Sequence, residues 1–552
     1  MGTLLTPAQI WKNFDPVAES LDATLLKSEQ SGNIKIEYYY FTGRHLDNEA
    51  SRVYCVVASS GENLPALIVV GKVSEPIDVN NLVYWASQGY TAIAIDYAGD
   101  MGEGKHTVYP ESVSYCNYLL AGRHFDRVDT DVTETSWYEY SLNTMRAVTF
   151  LNEYICPDKN NICLYSVGKS ARIASHCLAF DSRIRTACIA YGKIWEDYKN
   201  PDKESEDVSP DENLEILEEE ERWLAGICPQ SYIHLIEQPV YVLVGSNSKY
   251  TDMSDTAAAI QRFPNKNSRY FFVAGMLDTL TTEVKRSMDK WFKNSLDIAK
   301  PPKQPKLSVF AENGKLYAKI ETEAKFFTVW YARGPKENRL NWVAPVMTKT
   351  EYGANAELNI YDEELPVSVY ANADFYNGMK LSSEIHVFTP KDISKNLTLI
   401  DYTRMIYNQS MGMGEFIPID VTGEETLWDK SSIVFATGPL GIGGISGKRF
   451  GTFALSENMI LRHFESVLIF DVCSETKQNL DVCIVQNWNK DQCRYFCRVS
   501  LLGGNMWQKI VLSGQDFRCT TGKTLVADKV GGLDLLAFAC ENNIIVTNIL
   551  FT

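Results

Sequence analysis

Histidine is scarce in this chain. Seven occur in 552 residues, and none lies between Leu235 and Ser382, so that whole stretch has no imidazole to act as a general base or a metal ligand. Long apolar runs are missing too. None approaches the roughly 18 residues that span a bilayer, which predicts no membrane insertion. The start, Met1-Gly2-Thr3-Leu4-Leu5-Thr6-Pro7, lacks the basic residues, apolar stretch and cleavage site of a secretory signal, so a cytoplasmic location is the expectation. Gly2 with Thr6 fits the bare myristoylation pattern, which is too short to outweigh chance. The thirteen cysteines are scattered rather than set in a framework, as in a protein with reduced thiols. Positive charge is in deficit, 53 Lys and Arg against 70 Asp and Glu, for a formal charge of −17. Such a surface repels phosphate backbones and excludes nucleic acid as a partner. Much of the acidic excess lies between Glu204 and Glu221 and reads as a solvated helix face. Neither internal repeats nor low-complexity tracts occur.

The chain is too long for one core, since single domains stop growing near roughly 250–300 residues. From Leu64 to Leu296 short β-branched runs alternate with helical stretches, the pattern of βαβ units on a mainly parallel sheet. Residues 66–70, 91–95, 161–165, 186–190 and 240–244 are the predicted buried strands, and 81–90 a helix closed by Gly89. Residues 34–40 and 52–57 read as antiparallel strands on the sheet edge. Composition changes at Lys300-Pro301-Pro302-Lys303-Gln304-Pro305, which cannot continue a helix and suits a linker. Beyond it the helical period disappears. The expected organisation is an α/β domain over 1–300, an immunoglobulin-like β-sandwich over 301–390 and a jelly-roll β-sandwich over 391–552.

Within the α/β region, Asn161 to Ala174 reads as a buried strand, a sharp turn and a helix. Asp96-Tyr97-Ala98-Gly99 follows another strand, Phe180-Asp181-Ser182-Arg183-Ile184 closes the helix, and Gln238 to Gly245 forms a later strand. This ordered series resembles α/β-hydrolases over about residues 50–296, in particular the dienelactone-hydrolase and acetyl-esterase-like members. The resemblance implies a nucleophile at the turn, an acid about three residues past Gly245 and a histidine near Gly275. The elbow places G-x-S-x-G are filled by Ser166, Val167, Gly168, Lys169 and Ser170, so glycine stands where the nucleophile is implied. The acid place falls on Ser248, with Asp252 one turn away, and the histidine place on Met276. A shifted elbow with Ser170 as nucleophile and Lys169 as base is the rescue reading, although Ser170 then lies in the first helical turn, where hydroxyls cap or pack. A phosphate loop fails because its first glycine would be Cys163, inside the strand.

Gly441 to Arg449 also fails phosphate-loop spacing and reads as a turn. His176 and His386 read as structural, whereas His106 and His124 lie in the long segment after Asp96, which in this fold often passes over the pocket. Cys493 and Cys497 read as packing thiols in a strand, without the further ligands a zinc site needs. No cofactor or metal is expected. The segment from Gly503 to Leu512, with Asp516-Phe517 and the final strand, resembles carbohydrate-binding jelly rolls; there Trp507 reads as core and Trp488 as the exposed aromatic able to stack on a sugar. The functional expectation is a degenerate hydrolase that binds or scaffolds, with carbohydrate or a small ester as ligand and Lys169 and Trp488 as contacts. The alternative is an active carboxylic-ester hydrolase on acylated sugars using Ser170.

Overall fold

The β-branched runs of the first half become nine strands of one sheet: β1 (Thr24–Ser31), β2 (Ile34–Leu46), β3 (Glu49–Ser59), β4 (Pro65–Val70), β5 (Thr91–Ile95), β6 (Asp158–Val167), β7 (Ile184–Ala190), β8 (Val240–Gly245) and β9 (Arg269–Val273). The computed structural model describes residues 2–46, 49–100, 104–155, 157–196, 218–248, 250–278, 280–335, 340–401, 404–422, 432–456, 466–486, 493–525 and 533–552. Strand order is β1-β2-β3-β5-β4-β6-β7-β8-β9. Pairing is antiparallel from β1 to β3 and between β3 and β5, then parallel from β5 through β4 to β9. The antiparallel edge and the exchanged β4 and β5 are the topology of the α/β-hydrolase fold.

Two-residue periodicity divides the core. Ile68, Val70, Ile93 and Leu164 face one layer with the helices Ser136–Phe150 and Ala171–Phe180, while Leu67, Val69, Ala92 and Cys163 face the other with Val79–Ser87 and Thr282–Leu296. Both faces are buried, which is why the parallel strands read as continuous apolar runs. The helix Val79–Ser87 ends two residues before Gly89, whose φ of +94° turns the chain back into β5.

After the proline-rich stretch two small antiparallel sheets close on Leu316, Ile320, Val329 and Val369. One holds Lys306–Glu312, Lys315–Glu321, Gly353–Leu358 and Met347–Thr350; the other holds Phe326–Arg333, Val367–Asp374, Lys380–Ser382 and His386–Phe388. The last block is antiparallel and organised by the 19-residue strand Leu533–Phe551, which pairs with four others around Phe450, Phe470 and Phe538. The fold is therefore α/β-hydrolase followed by β domains.

Three local expectations are corrected. The glycine-rich run read as a turn enters the strand Gly443–Thr452; a Cβ on Gly444 would meet the Val546 carbonyl oxygen at 2.4 Å, so the crowded partner strand explains a glycine there. Trp507 is half-buried rather than core, its indole N–H donating to the Pro439 carbonyl at 2.9 Å. Cys493 is exposed, so packing does not account for it. Most of the acidic run before Glu218 lies outside the described residues; Glu218–Gly226 is helical.

Arg146 ties the N-terminal segment to the α/β core. It is 2% exposed, and its guanidinium donates to the carbonyls of Pro16 (2.7 Å), Glu19 (2.9 Å), Ser20 (3.0 Å) and Thr42 (3.2 Å). Arg146→Met keeps length but removes the guanidinium from the Glu19, Ser20 and Thr42 carbonyls, while Pro16 keeps the Thr149 hydroxyl as a donor. The first urea transition is expected to weaken by about 3 kcal/mol.

Candidate functional site

In a parallel sheet the strand ends that carry chemistry all lie at the carboxyl edge, and here the relevant turns follow β6, β8 and β9. The turn after β6 has the expected elbow form: β6 ends at Val167, Gly168–Ser170 make one tight turn, and the helix begins at Ala171. Gly168 has φ +61°, a left-handed conformation that costs an L residue strain. A Cβ added there would meet nothing within 4 Å. The turn after β7 presses on the elbow, because a Cβ on Gly192 would lie 2.6 Å from the Gly168 carbonyl oxygen. The frame therefore retains room for a nucleophilic side chain at residue 168, and the residue present has none.

Ser170 is 1% exposed and its hydroxyl donates to the Gly71 carbonyl at 2.5 Å. It packs at the start of the helix, whereas Gly168 faces open space. Lys169 is exposed, its ammonium 5.4 Å from the centre of the Phe125 ring. Ser166 is fully buried, and its hydroxyl has no hydrogen-bond partner among the described residues.

The turn after β8 holds Ser246, Asn247 and Ser248. Ser248 is 7% exposed, and its oxygen accepts from the backbone N–H of Tyr250 (3.1 Å) and Thr251 (2.9 Å). Asp252, the nearby carboxylate, caps the helix Met253–Ile260 by accepting from Ser254 N–H (2.7 Å) and Asp255 N–H (3.0 Å). Asn247 is the residue that sequence reasoning missed. Its amide donates to the Leu340 carbonyl (3.0 Å) and accepts from the Leu340 N–H (3.1 Å) and the Trp342 indole (3.3 Å). The acid turn is thus fastened to the first β block.

The turn after β9 is engaged in the same way. Gly275, with φ +69°, donates its N–H to Ser246 Oγ at 2.8 Å, and the position of its missing Cβ is 3.7 Å from Ile417 of the last block. Met276, at the histidine place, is half-buried against the apolar layer, and its carbonyl accepts from Asn247 N–H at 3.0 Å. On β9 itself, Phe272 N–H donates to Ser382 Oγ (2.8 Å) and Asn372 donates to the Phe272 carbonyl (3.0 Å), so the sheet edge is covered by the first β block.

His176 and His124 are held by structural contacts. His176 is buried, its ring tilted against that of Tyr232 with centroids 4.1 Å apart, with Nδ1 paired to Ser141 Oγ (2.9 Å) and Nε2–H donating to the Ile227 carbonyl (3.0 Å). Burial pulls its pKa down to about 3, so it stays neutral. His386 lies in a short strand paired with Val369. His124 stacks on Tyr115 at 4.3 Å with Nδ1 on the Glu134 carbonyl (2.8 Å), and His106 pairs with Gly104 O (3.2 Å). Asp96 is buried, accepting from Gly99 N–H (3.1 Å) and Thr107 N–H (2.8 Å), which shapes the loop after β5; burial raises its pKa. Trp488 lies outside the described residues. Among the described residues no three His, Cys, Asp or Glu side chains gather as a metal site, and no helix is long and apolar enough to cross a membrane.

Two predictions follow from this geometry. Asn247→Ala removes three hydrogen bonds and leaves buried partners unpaired, so about 3 kcal/mol of stability is lost and the Leu340 amide exchanges faster with deuterium. For His176, the unfolded imidazole takes up a proton below its ordinary value of 6.5 while the folded one does not until about 3. Its contribution is therefore complete above 6.5 and declines as pH falls. The stability advantage of native protein over His176→Phe should shrink by about 2 kcal/mol between pH 6.5 and 5, measured by urea unfolding.

No family model matches the chain, and no curated protein matches it. Solved structures do. An acetyl xylan esterase from a Paenibacillus species is similar at 16% identity over 50% of this chain and 90% of its own, with a TM-score of 0.38. Acetyl xylan esterase 1 from a Thermoanaerobacterium species is similar at 16% identity over 54% of this chain and 96% of its own, TM-score 0.39. A candidate dienelactone hydrolase from Klebsiella pneumoniae is similar at 14% identity over 44% and 85%, TM-score 0.29. That likeness reaches no further than general shape, and the strand order identifies the fold without it: this chain carries an α/β-hydrolase fold followed by β domains.

Proposed function

We propose that this protein is a binding or scaffolding protein built on a hydrolase frame, without Ser-His-Asp catalysis. The observation that carries the reading is Gly168: the elbow conformation and the space for a side chain are present, and the attacking atom is not. Acyl transfer at such a turn needs an oxygen or sulfur nucleophile and a base within hydrogen-bond reach of it. Gly168 offers a hydrogen atom. The other two turns support the same reading, because Asn247 and Gly275 use their polar groups to hold neighbouring backbone and side chains rather than to orient an imidazole.

The competing reading, ester hydrolysis through Ser170, draws no support from the geometry. Its hydroxyl hydrogen is already given to the Gly71 carbonyl, and attack from a buried position would require the first helical turn to open. Carbohydrate or a small ester remains the ligand class we favour, with cytoplasmic residence and no nucleic-acid partner. The acidic balance of the chain supports the last of these.

A fluorophosphonate probe and a short-chain aryl ester test the reading on the intact chain. Native protein and Ser170→Ala should both remain unlabelled and show only the uncatalysed rate of ester loss. Labelling of native protein that vanishes in Ser170→Ala would establish a shifted nucleophile and overturn the proposal.

A further inference from the structure

The three units meet at a crevice of about 450 Å³, including space open to solvent, that lies beside the acid and histidine turns. Asn247 and Gly275 form its floor from the α/β sheet; Trp330 and Trp342 come from the first β block, and Glu415 and Phe416 from the last. The elbow residue Gly168 does not line it.

Glu415 is the unusual member. It lies partly exposed to the crevice, no cation among the described residues pairs with it, and the backbone of Ala344 is the one polar group that favours its charged form. Desolvation pushes its pKa up to about 7, so its charged form is poorly solvated where it stands and a cation beside it would favour that form. Two of the side chains that line the crevice give it no hydrogen bond. The Trp342 indole N–H is committed to Asn247, and Phe416 has no donor. They do offer ring faces, which attract positive charge, and Trp330 is only half-buried.

We infer that this three-way junction binds a small organic ammonium group, with Glu415 as counter-ion and Trp330 as the ring wall against which the cation rests. A neutral sugar is a weaker match, because its hydroxyls do not neutralise the carboxylate. The ligand class is accordingly a primary or quaternary amine of modest size. This site is separate from the elbow, and the inference does not depend on whether the elbow is catalytic.

The test uses full-length protein titrated with tetramethylammonium, choline and n-butylammonium chlorides at ionic strength matched by sodium chloride. Tryptophan fluorescence and isothermal calorimetry report binding. Saturable binding is expected for the ammonium salts and not for methyl β-glucopyranoside. Glu415→Gln, which removes the charge but keeps size and an acceptor, should weaken it at least about tenfold, whereas Trp330→Phe should retain it within a few-fold. Thermal melting of each variant separates loss of site from loss of fold, and saturation-transfer NMR on native protein gives a readout without substitution. Failure of every ammonium salt to saturate, binding that survives Glu415→Gln, or equal binding of the glucoside would each overturn the inference.

Discussion

One side-chain amide, carried on the α/β sheet, satisfies backbone of the first β block across the join between them. Asn247 gives a proton to the Leu340 carbonyl and takes one from the Leu340 N–H, as a strand neighbour would, and it also accepts the Trp342 indole. A buried turn with unpaired backbone would cost several kcal/mol, so the segment around Leu340 can lie against the sheet only while that amide is in place. Trp342 in turn packs edge-on to Tyr370 at 4.9 Å, and Tyr370 packs edge-on to Phe272 of β9 at 5.6 Å, so both rings join the α/β core. The β9 edge, sealed by Ser382 and Asn372, completes the attachment. The turns from which a hydrolase would present its acid and its histidine are therefore structural joints in this chain.

The elbow has a different relation to its surroundings. Its geometry depends on the left-handed turn at Gly168 and on the close approach of Gly192, both of which are present although residue 168 has no nucleophilic side chain. A tight strand-to-helix turn is itself a packing solution, since it starts the helix Ala171–Phe180 against Ser136–Phe150 and buries Ser170 beneath Gly71. Scaffold and chemistry thus separate cleanly: the sheet needs the turn, and catalysis alone would need the side chain.

Much of the sheet was legible in the sequence because β4 to β8 are buried on both faces and read as apolar runs between turn residues, whereas β9 (Arg269–Val273) was not among the predicted strands. The elbow was legible because strand and helix registers converge on Gly168 from both sides. Asn247 was not. Register alone pointed one residue further, to Ser248, and the partner that explains the amide lies 93 residues away. Glu415 escaped for the same reason, since a crevice built from three distant segments leaves no local pattern. The strand Gly443–Thr452 was obscured by its glycines, which suggest a turn when the crowded neighbour that requires a small residue is out of view.

The central claim is that the elbow is intact and lacks only an attacking atom, while the acid and histidine turns no longer serve catalysis. Gly168→Ser tests both halves at once. The open space admits the side chain, so the variant should fold with a loss of about 1–2 kcal/mol from the left-handed backbone, and it should hydrolyse an aryl ester no faster than native protein. Turnover well above native, or fluorophosphonate attachment to the introduced hydroxyl, would mean that a base still serves the site and would contradict the account.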